Sequence, residues 1–167
     1  MSFISIKPDK LNANTFSLIG KSLLLAAGDT SGMNAMTVSW GGLGVLWGKN
    51  VAACFVRPQR YTYEFIEKSD YYTLSAYPSS MNSIHSVFGT KSGRDTDKPA
   101  LTGLTPAFSD CGAPYFEQAE LVLVCKKMYF SDFDPKNFLD ETIEKWYPDK
   151  DYHRMYIGEI TTILKKD

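Results

Sequence analysis

Ala119-Glu120-Leu121-Val122-Leu123-Val124-Cys125-Lys126-Lys127-Met128-Tyr129-Phe130 is the stretch whose reading decides the fold. Leu121, Leu123 and Cys125 alternate with Val122 and Val124, which makes both faces of an extended segment apolar. A strand covered on two sides reads this way. Working outward, residues 156–164 give a second clear strand, with β-branched side chains and with Gly158 where a bend or a close approach is expected. Further strands are expected at 22–27, 36–40, 50–56 and 71–77. Helical signals are fewer. Residues 62–68 carry Tyr63, Ile66 and Glu67 at helical spacing. Residues 79–88 carry Met81, Ile84, Val87 and Phe88, with Ser80 as a cap and Gly89 as a stop. Short helices near 14–19 and within 135–146 complete the pattern. Strands outnumber helices and do not alternate with long ones, so a mainly β, antiparallel barrel with a few peripheral helices fits better than a parallel doubly wound sheet.

The chain has 167 residues, the size of one domain, and no linker, repeat or compositional break divides it. A single domain over 1–167 is expected. Hydrophobic residues make up 44% and charged residues 22%, ordinary for a globular protein, but 10 Phe, 10 Tyr and 3 Trp are more rings than usual. So many rings suit a barrel core, a subunit interface or a planar ligand. Lys and Arg are scattered and the net charge is -1, so the basic stripe of a nucleic-acid binder is missing. Cys54, Cys111 and Cys125 are odd in number and widely spaced; Cys54 and Cys125 lie in apolar runs, which favours a reducing compartment. The first residues lack the apolar stretch of a signal peptide and no run is long enough to span a bilayer, so no membrane partner and a cytoplasmic location are expected.

Several motifs point nowhere. Gly20-Lys21-Ser22 would need a glycine five residues before Gly20 to be a phosphate loop, and Thr15 stands there. Gly42-Leu43-Gly44-Val45-Leu46-Trp47-Gly48 has one residue too many for a dinucleotide fingerprint and reads as a flexible loop between strands. His85 and His153 show no metal-ligand spacing, and no serine has a hydrolase context.

Three segments carry chemistry. In Asn34-Ala35-Met36-Thr37-Val38-Ser39-Trp40, Thr37 and Ser39 share one face of a strand, and Met36, Val38 and Trp40 the other. In Arg57-Pro58-Gln59-Arg60-Tyr61-Thr62, an apolar strand ends in two arginines just where a helix starts; free helix N–H groups and guanidinium groups suit a phosphate, although a capped helix with solvated arginines explains the residues as well. The loop Ser92-Gly93-Arg94-Asp95-Thr96-Asp97-Lys98 can offer Ser92, the Gly93 backbone and Lys98 to polar ligand edges.

Together with Asp151-Tyr152-His153-Arg154-Met155-Tyr156-Ile157-Gly158-Glu159-Ile160, these segments in this order resemble the flavin reductase-like family, whose fold is an FMN-binding split barrel. The resemblance runs along nearly the whole chain. It implies FMN near the interface of a homodimer. Arg57, Arg60 and Thr62, with Gln59 and Tyr61 of the same turn, would hold the phosphate. Met36, Thr37, Val38, Ser39 and Trp40 would line the ring, with Ser92, Gly93 and Lys98 as secondary contacts. His153 would sit on the nicotinamide side; pairing with Asp151 as a strand histidine is the alternative. The Gly- and Trp-rich run from Trp40 to Trp47 departs from the family pattern and leaves the substrate open. The implied activity is hydride transfer from NADH or NADPH to the flavin and on to free flavin or another small acceptor. An FMN electron carrier serving a protein redox partner is the alternative, and a barrel holding haem or pyridoxal phosphate a more distant one.

Overall fold

Two long strands form the spine of the molecule. The computed structural model describes residues 2–167. Strands β1 (Phe3–Ile6), β2 (Leu23–Asp29), β3 (Gly32–Val38), β4 (Gly41–Leu46), β5 (Lys49–Val56), β6 (Tyr71–Ala76), β9 (Leu121–Asp132) and β10 (Arg154–Lys166) make one antiparallel sheet in the order β3-β2-β6-β9-β10-β5-β4. β9 pairs with β10 along its length. The first half of β10 also pairs with β5, Arg154 opposite Val56 through Glu159 opposite Val51. Its second half pairs with β1, Ile163 opposite Ile6 through Lys166 opposite Phe3. Register shifts after Ile157 and after Ile160 let the strand bend between these partners. A small hairpin, β7 (Pro106–Phe108) and β8 (Pro114–Phe116), and helices α1 (Thr15–Gly20), α2 (Tyr61–Lys68), α3 (Ser83–Thr90) and α4 (Lys98–Thr102) pack around the sheet.

The alternation of side chains decides which face goes where. Leu23, Leu25 and Ala27 of β2 join Met36, Val38, Cys54, Val56, Tyr72, Leu123, Cys125, Tyr156 and Ile163 in the barrel interior. Leu24 and Ala26 point the other way, onto Ile84 and Phe88 of α3 and Phe116 of β8. Each fully buried leucine contributes about 1.5–3 kcal/mol. Tyr72 lies between Cys54 and Cys125, and a side chain at Gly158 would place its Cβ 2.6 Å from the Tyr72 hydroxyl. The close approach read from the sequence is real, and only glycine admits it. Cys54 and Cys125 are buried free thiols, and burial pushes Cys54 up to about 12, so it stays a neutral apolar group.

The spine strand Leu121–Asp132 is buried on both faces only from Val122 to Cys125; beyond that it becomes an exposed ribbon. Residues 42–48 are not a flexible loop but strand β4 and its turn, because their backbone pairs with β5 from Gly41 opposite Cys54 to Leu46 opposite Lys49. The helix expected over 79–88 is a 3-10 turn, Ser79–Met81, followed by α3; Ser80 caps nothing and Gly89 lies inside the helix. The segment 135–146 forms two 3-10 turns, Pro135–Asn137 and Glu141–Trp146, capped by Asp134 and Asp140. Among the described residues no helix is long and apolar enough to cross a membrane.

α2 positions the site. Lys127 Nζ donates to the carbonyls of Ile66 (2.6 Å) and Glu67 (2.9 Å), satisfying orphan groups at its C-terminus. Arg154 grips both oxygens of Asp132 at 2.7 Å and Glu67 at 3.0 Å, and the Tyr156 hydroxyl donates to Glu67 at 2.5 Å. These bonds lock α2 to the spine and aim its N-terminus at β3.

Candidate functional site

The N-terminus of α2, strand β3, the end of α3 and the loop before α4 converge on two adjoining hollows. The first, about 200 Å³, is lined by Asn34, Met36, Gln59, Arg60, Tyr61, Thr62, Ser92, Gly93, Arg94 and Lys98, among others. The second, about 240 Å³, is lined by Met36, Thr37, Val38, Ser39, Trp40, Phe55, Arg57, Arg60, Gly89 and His153. Met36 and Arg60 belong to both, so the hollows form one continuous site.

The first hollow holds cations without counterions. Lys98 is 3% exposed; its Nζ donates to the Ala35 carbonyl at 2.5 Å and lies 5.0 Å from the centre of the Phe88 ring. Burial and the neighbouring Arg60 lower its pKa to about 8. Arg60 Nη2 donates to the carbonyls of Gly89 (2.8 Å) and Phe88 (3.3 Å) at the end of α3; burial, then Arg57, lowers its pKa. Among the described residues neither cation has an ion-pair partner. A third cation, Arg94, is paired with Glu64 and stacks 4.6 Å from the centre of the Tyr61 ring. The N-cap of α2 is Arg60 itself, with no side-chain cap, leaving the helix N-terminus to an incoming acceptor. Thr62 is buried, and its hydroxyl accepts from Asn34 Nδ2 at 2.9 Å. A Cβ at Gly93 would fall 2.2 Å from Asn34 Oδ1, so a side chain there would have to displace Asn34 from Thr62. Desolvated positive charge, a helix N-terminus and backbone held close by glycine form a cradle that fits an anion with several oxygens, such as a phosphate.

The second hollow is largely aromatic, with Arg57 and the shared Arg60 on its border. Trp40 stands 5.1 Å from the His153 ring and 5.4 Å, edge to face, from Trp146. His153 is buried and shares a 2.8 Å hydrogen bond between Nδ1 and the Tyr147 hydroxyl. Burial, then Arg57, lowers its pKa to about 4, against a weaker opposing effect of Asp151, so the imidazole is neutral at pH 7. The Thr37 hydroxyl donates to the His85 carbonyl at 2.7 Å, and Ser39 shares a 2.7 Å bond with Ser22, so these hydroxyls fasten the wall of the hollow to α3 and to the chain after α1.

Arg57 stands apart from the cationic hollow. It pairs with Asp151 at 2.6 Å, donates to the Trp146 carbonyl at 2.8 Å, and lies over the Tyr147 ring. Gln59 also donates to Asp151. Burial disfavours the Asp151 carboxylate, but bonds from Arg57 and Gln59 outweigh this and hold its pKa below the ordinary carboxylate range. The alternative pairing of His153 with Asp151 is not formed: Asp151 serves Arg57 and Gln59, while His153 serves Tyr147 and immediately precedes β10. Thus the structure gathers Gln59, Arg60, Tyr61, Thr62, Ser92, Gly93 and Lys98 at one end, and Thr37, Val38, Ser39, Trp40, Arg57 and His153 at the other. The Ser92 hydroxyl oxygen accepts from the Arg94 amide at 3.1 Å. The sequence reading did not single out Asn34 as a site residue, though it lies in the quoted strand segment, nor Trp146, which no local pattern marks. A larger cleft of 540 Å³ beyond Tyr61 is bordered by Asp29, Glu64, Lys68 and Asp70, exposed groups of both signs with no preference for an anion.

The pattern of residues finds its match at this point. The flavin reductase like domain family model matches residues 18–166. The chain belongs to that family. No curated protein matches it in sequence. Among solved structures, an FMN-binding protein from Thermus thermophilus aligns with a TM-score of 0.70 at 15% identity, over 97% of this chain and 78% of that one. A flavoredoxin from Methanosarcina acetivorans aligns with a TM-score of 0.71 at 21% identity, over 97% and 77% of the two chains. The flavoredoxin of Desulfovibrio vulgaris (Miyazaki F) aligns with a TM-score of 0.69 at 22% identity, over 87% and 69%. These family neighbours share the antiparallel split-barrel fold.

Proposed function

We propose that the protein is an FMN-dependent oxidoreductase, and the observation that carries this reading is the pair of desolvated cations, Arg60 and Lys98, beside an aromatic hollow. A phosphate on a flat ring system matches that sequence of environments: anion at one end, planar ring at the other. Arg60, Lys98, Thr62 and the N-terminal amides of α2 would hold the phosphate, with Ser92 and Gly93 closing the side. Met36 through Trp40 would line the ring. When bound, FMN would supply two-electron chemistry, accepting hydride from NADH or NADPH and passing electrons to free flavin or another small acceptor. The chain's own part is to bind, orient and exclude water; the Tyr147–His153 pair keeps a neutral imidazole at the ring end.

A second reading, an FMN electron carrier with a protein redox partner, draws support from the flavoredoxin neighbours. We also propose a homodimer: Val45 is 74% exposed and Trp47 57%, and Trp47 packs 6.0 Å from the half-exposed Tyr129, an apolar surface that a second copy would cover. The deciding experiment adds FMN to purified protein, records the visible spectrum, and then adds NADH or NADPH in air. Bound flavin with steady nicotinamide consumption supports the reductase. Bound flavin that nicotinamides do not reduce supports the carrier, and no flavin binding overturns both. Light scattering at several concentrations tests the dimer.

A further inference from the structure

Tyr61 lines two spaces at once. It belongs to the cationic hollow on one side and to the 540 Å³ cleft on the other, so the two adjoin at the start of α2. An ion pair stands between them: Arg94 on the wall of the hollow, over the Tyr61 ring, is paired with Glu64 on the wall of the cleft. The phosphate contacts at Arg60 and Lys98 leave this end of the site without a role. The hollow carries two further cations, Lys91 and Arg94. Lys91 is exposed and has no ion-pair partner among the described residues. A second phosphate joined to the first would meet these two.

The cleft itself suits an uncharged group. Asp29, Glu64 and Asp70 outnumber Lys68 on its border, so an anion gains nothing by entering. At 540 Å³ it falls within the range of about 300–1,000 Å³ usual for small organic ligands. Tyr61, Phe65 and Tyr71 give it ring surface, the first two edge to face at 5.0 Å. Asp29, at the end of β2, accepts from the Ser31 hydroxyl at 2.5 Å and from the Ser31 amide at 2.7 Å. The hydroxyl, then the amide, hold its pKa below the ordinary carboxylate range, so hydroxyl donors find an ionised acceptor there. Rings for a base and a carboxylate for a ribose diol are what a nucleoside needs. A Cβ at Gly32 would meet the Phe65 ring at 3.8 Å, so glycine there leaves the cleft open. Resting on the flavin reading above, we infer that this cleft is a nucleoside subsite for FAD: its first phosphate lies at Arg60 and Lys98, its second meets Lys91 and Arg94, and its adenosine fills the cleft beyond Tyr61. FMN then occupies only part of the site that FAD fills.

Calorimetric titration of the purified protein with FMN and with FAD measures the difference. FAD should bind at least about tenfold more tightly, as a ring stack and one hydrogen bond to a carboxylate together provide. Asp29→Asn keeps an acceptor for Ser31 and removes the charge; Gly32→Leu fills the cleft. Each should cut the FAD advantage by about threefold or more and leave FMN affinity unchanged. A second readout needs no variant. Cys111 is an exposed thiol on the cleft wall, whereas Cys54 and Cys125 are buried, so iodoacetamide labels Cys111. Saturating FAD should slow that labelling several-fold, and saturating FMN should leave it unchanged. FAD binding no tighter than FMN, or Cys111 equally reactive with either flavin bound, would overturn the inference and leave the flavin reading intact. Binding of neither flavin would strike the flavin reading itself, and this inference with it.

Discussion

Arg57 and Arg60 arise from the same short turn, yet they live in different worlds. Arg57 has a carboxylate at 2.6 Å, a carbonyl at 2.8 Å and a tyrosine ring against it, so its charge is used up in holding residues 133–153. Among the described residues, Arg60 has only the carbonyls of Phe88 and Gly89, and shares its surroundings with a buried Lys98 that has no ion-pair partner there either. A paired cation builds structure; two desolvated cations with no anion hold a place for one. In sequence the two arginines look equivalent, and the difference lies in a carboxylate 94 residues away.

The comparison is broken most directly at the cationic end. Arg60→Ala or Lys98→Met should weaken FMN binding by about tenfold to a hundredfold each, since a charged hydrogen bond contributes about 1.5–3 kcal/mol. Quenching of flavin fluorescence on titration measures this; an unchanged affinity in both variants would remove the phosphate assignment. At the other end, Arg57→Ala should leave FMN affinity within about threefold but lower the unfolding free energy by about 1–3 kcal/mol, because Asp151 keeps a mostly buried carboxylate with a partner lost. Denaturant unfolding and FMN titration of the same variant separate the two effects.

Smaller effects are expected from pH. The pKa of Lys98 falls to about 8 without an anion, and a bound phosphate would raise it, so the bound state takes up the proton more tightly. FMN affinity should therefore be level below pH 8 and decline as pH rises past it, with Lys98→Met abolishing the slope. His153 acts in the opposite pH region, and on stability rather than on binding. Its folded pKa, about 4, lies below the ordinary 6.5, so the unfolded chain binds the extra proton first. Its contribution to stability is present above pH 6.5 and is lost as pH falls toward 4. His153→Gln should flatten that part of a stability profile measured by denaturant unfolding.

The barrel was legible because its cause is local. Alternation in the spine strand and in β10, and glycine at 158, are patterns that backbone geometry imposes on a sequence. Residues 42–48 misled because glycine lowers strand propensity, while pairing with β5, a tertiary matter, overrides it. Residues 79–88 misled because helical spacing does not reveal the break at Asn82, where the 3-10 turn hands over to α3. At the site, the residue types and their order were readable. Their division into a cationic and an aromatic end was not, since it depends on Asp151, Tyr147 and Trp146 arriving from a segment with no periodic signal. Asn34 was hidden because its role, bracing Thr62 and meeting Gly93, depends on contacts far along the chain.

The central claim is that Arg60 and Lys98 hold the phosphate of a flavin whose ring lies beside Trp40. Titration with FMN and with riboflavin, the same ring system lacking the phosphate, tests it most directly. FMN should bind the native protein at least about a hundredfold more tightly, as two charge-assisted contacts together would provide, and that advantage should shrink to less than about tenfold in a protein carrying both Arg60→Ala and Lys98→Met. Riboflavin binding the native protein as tightly as FMN would contradict the account.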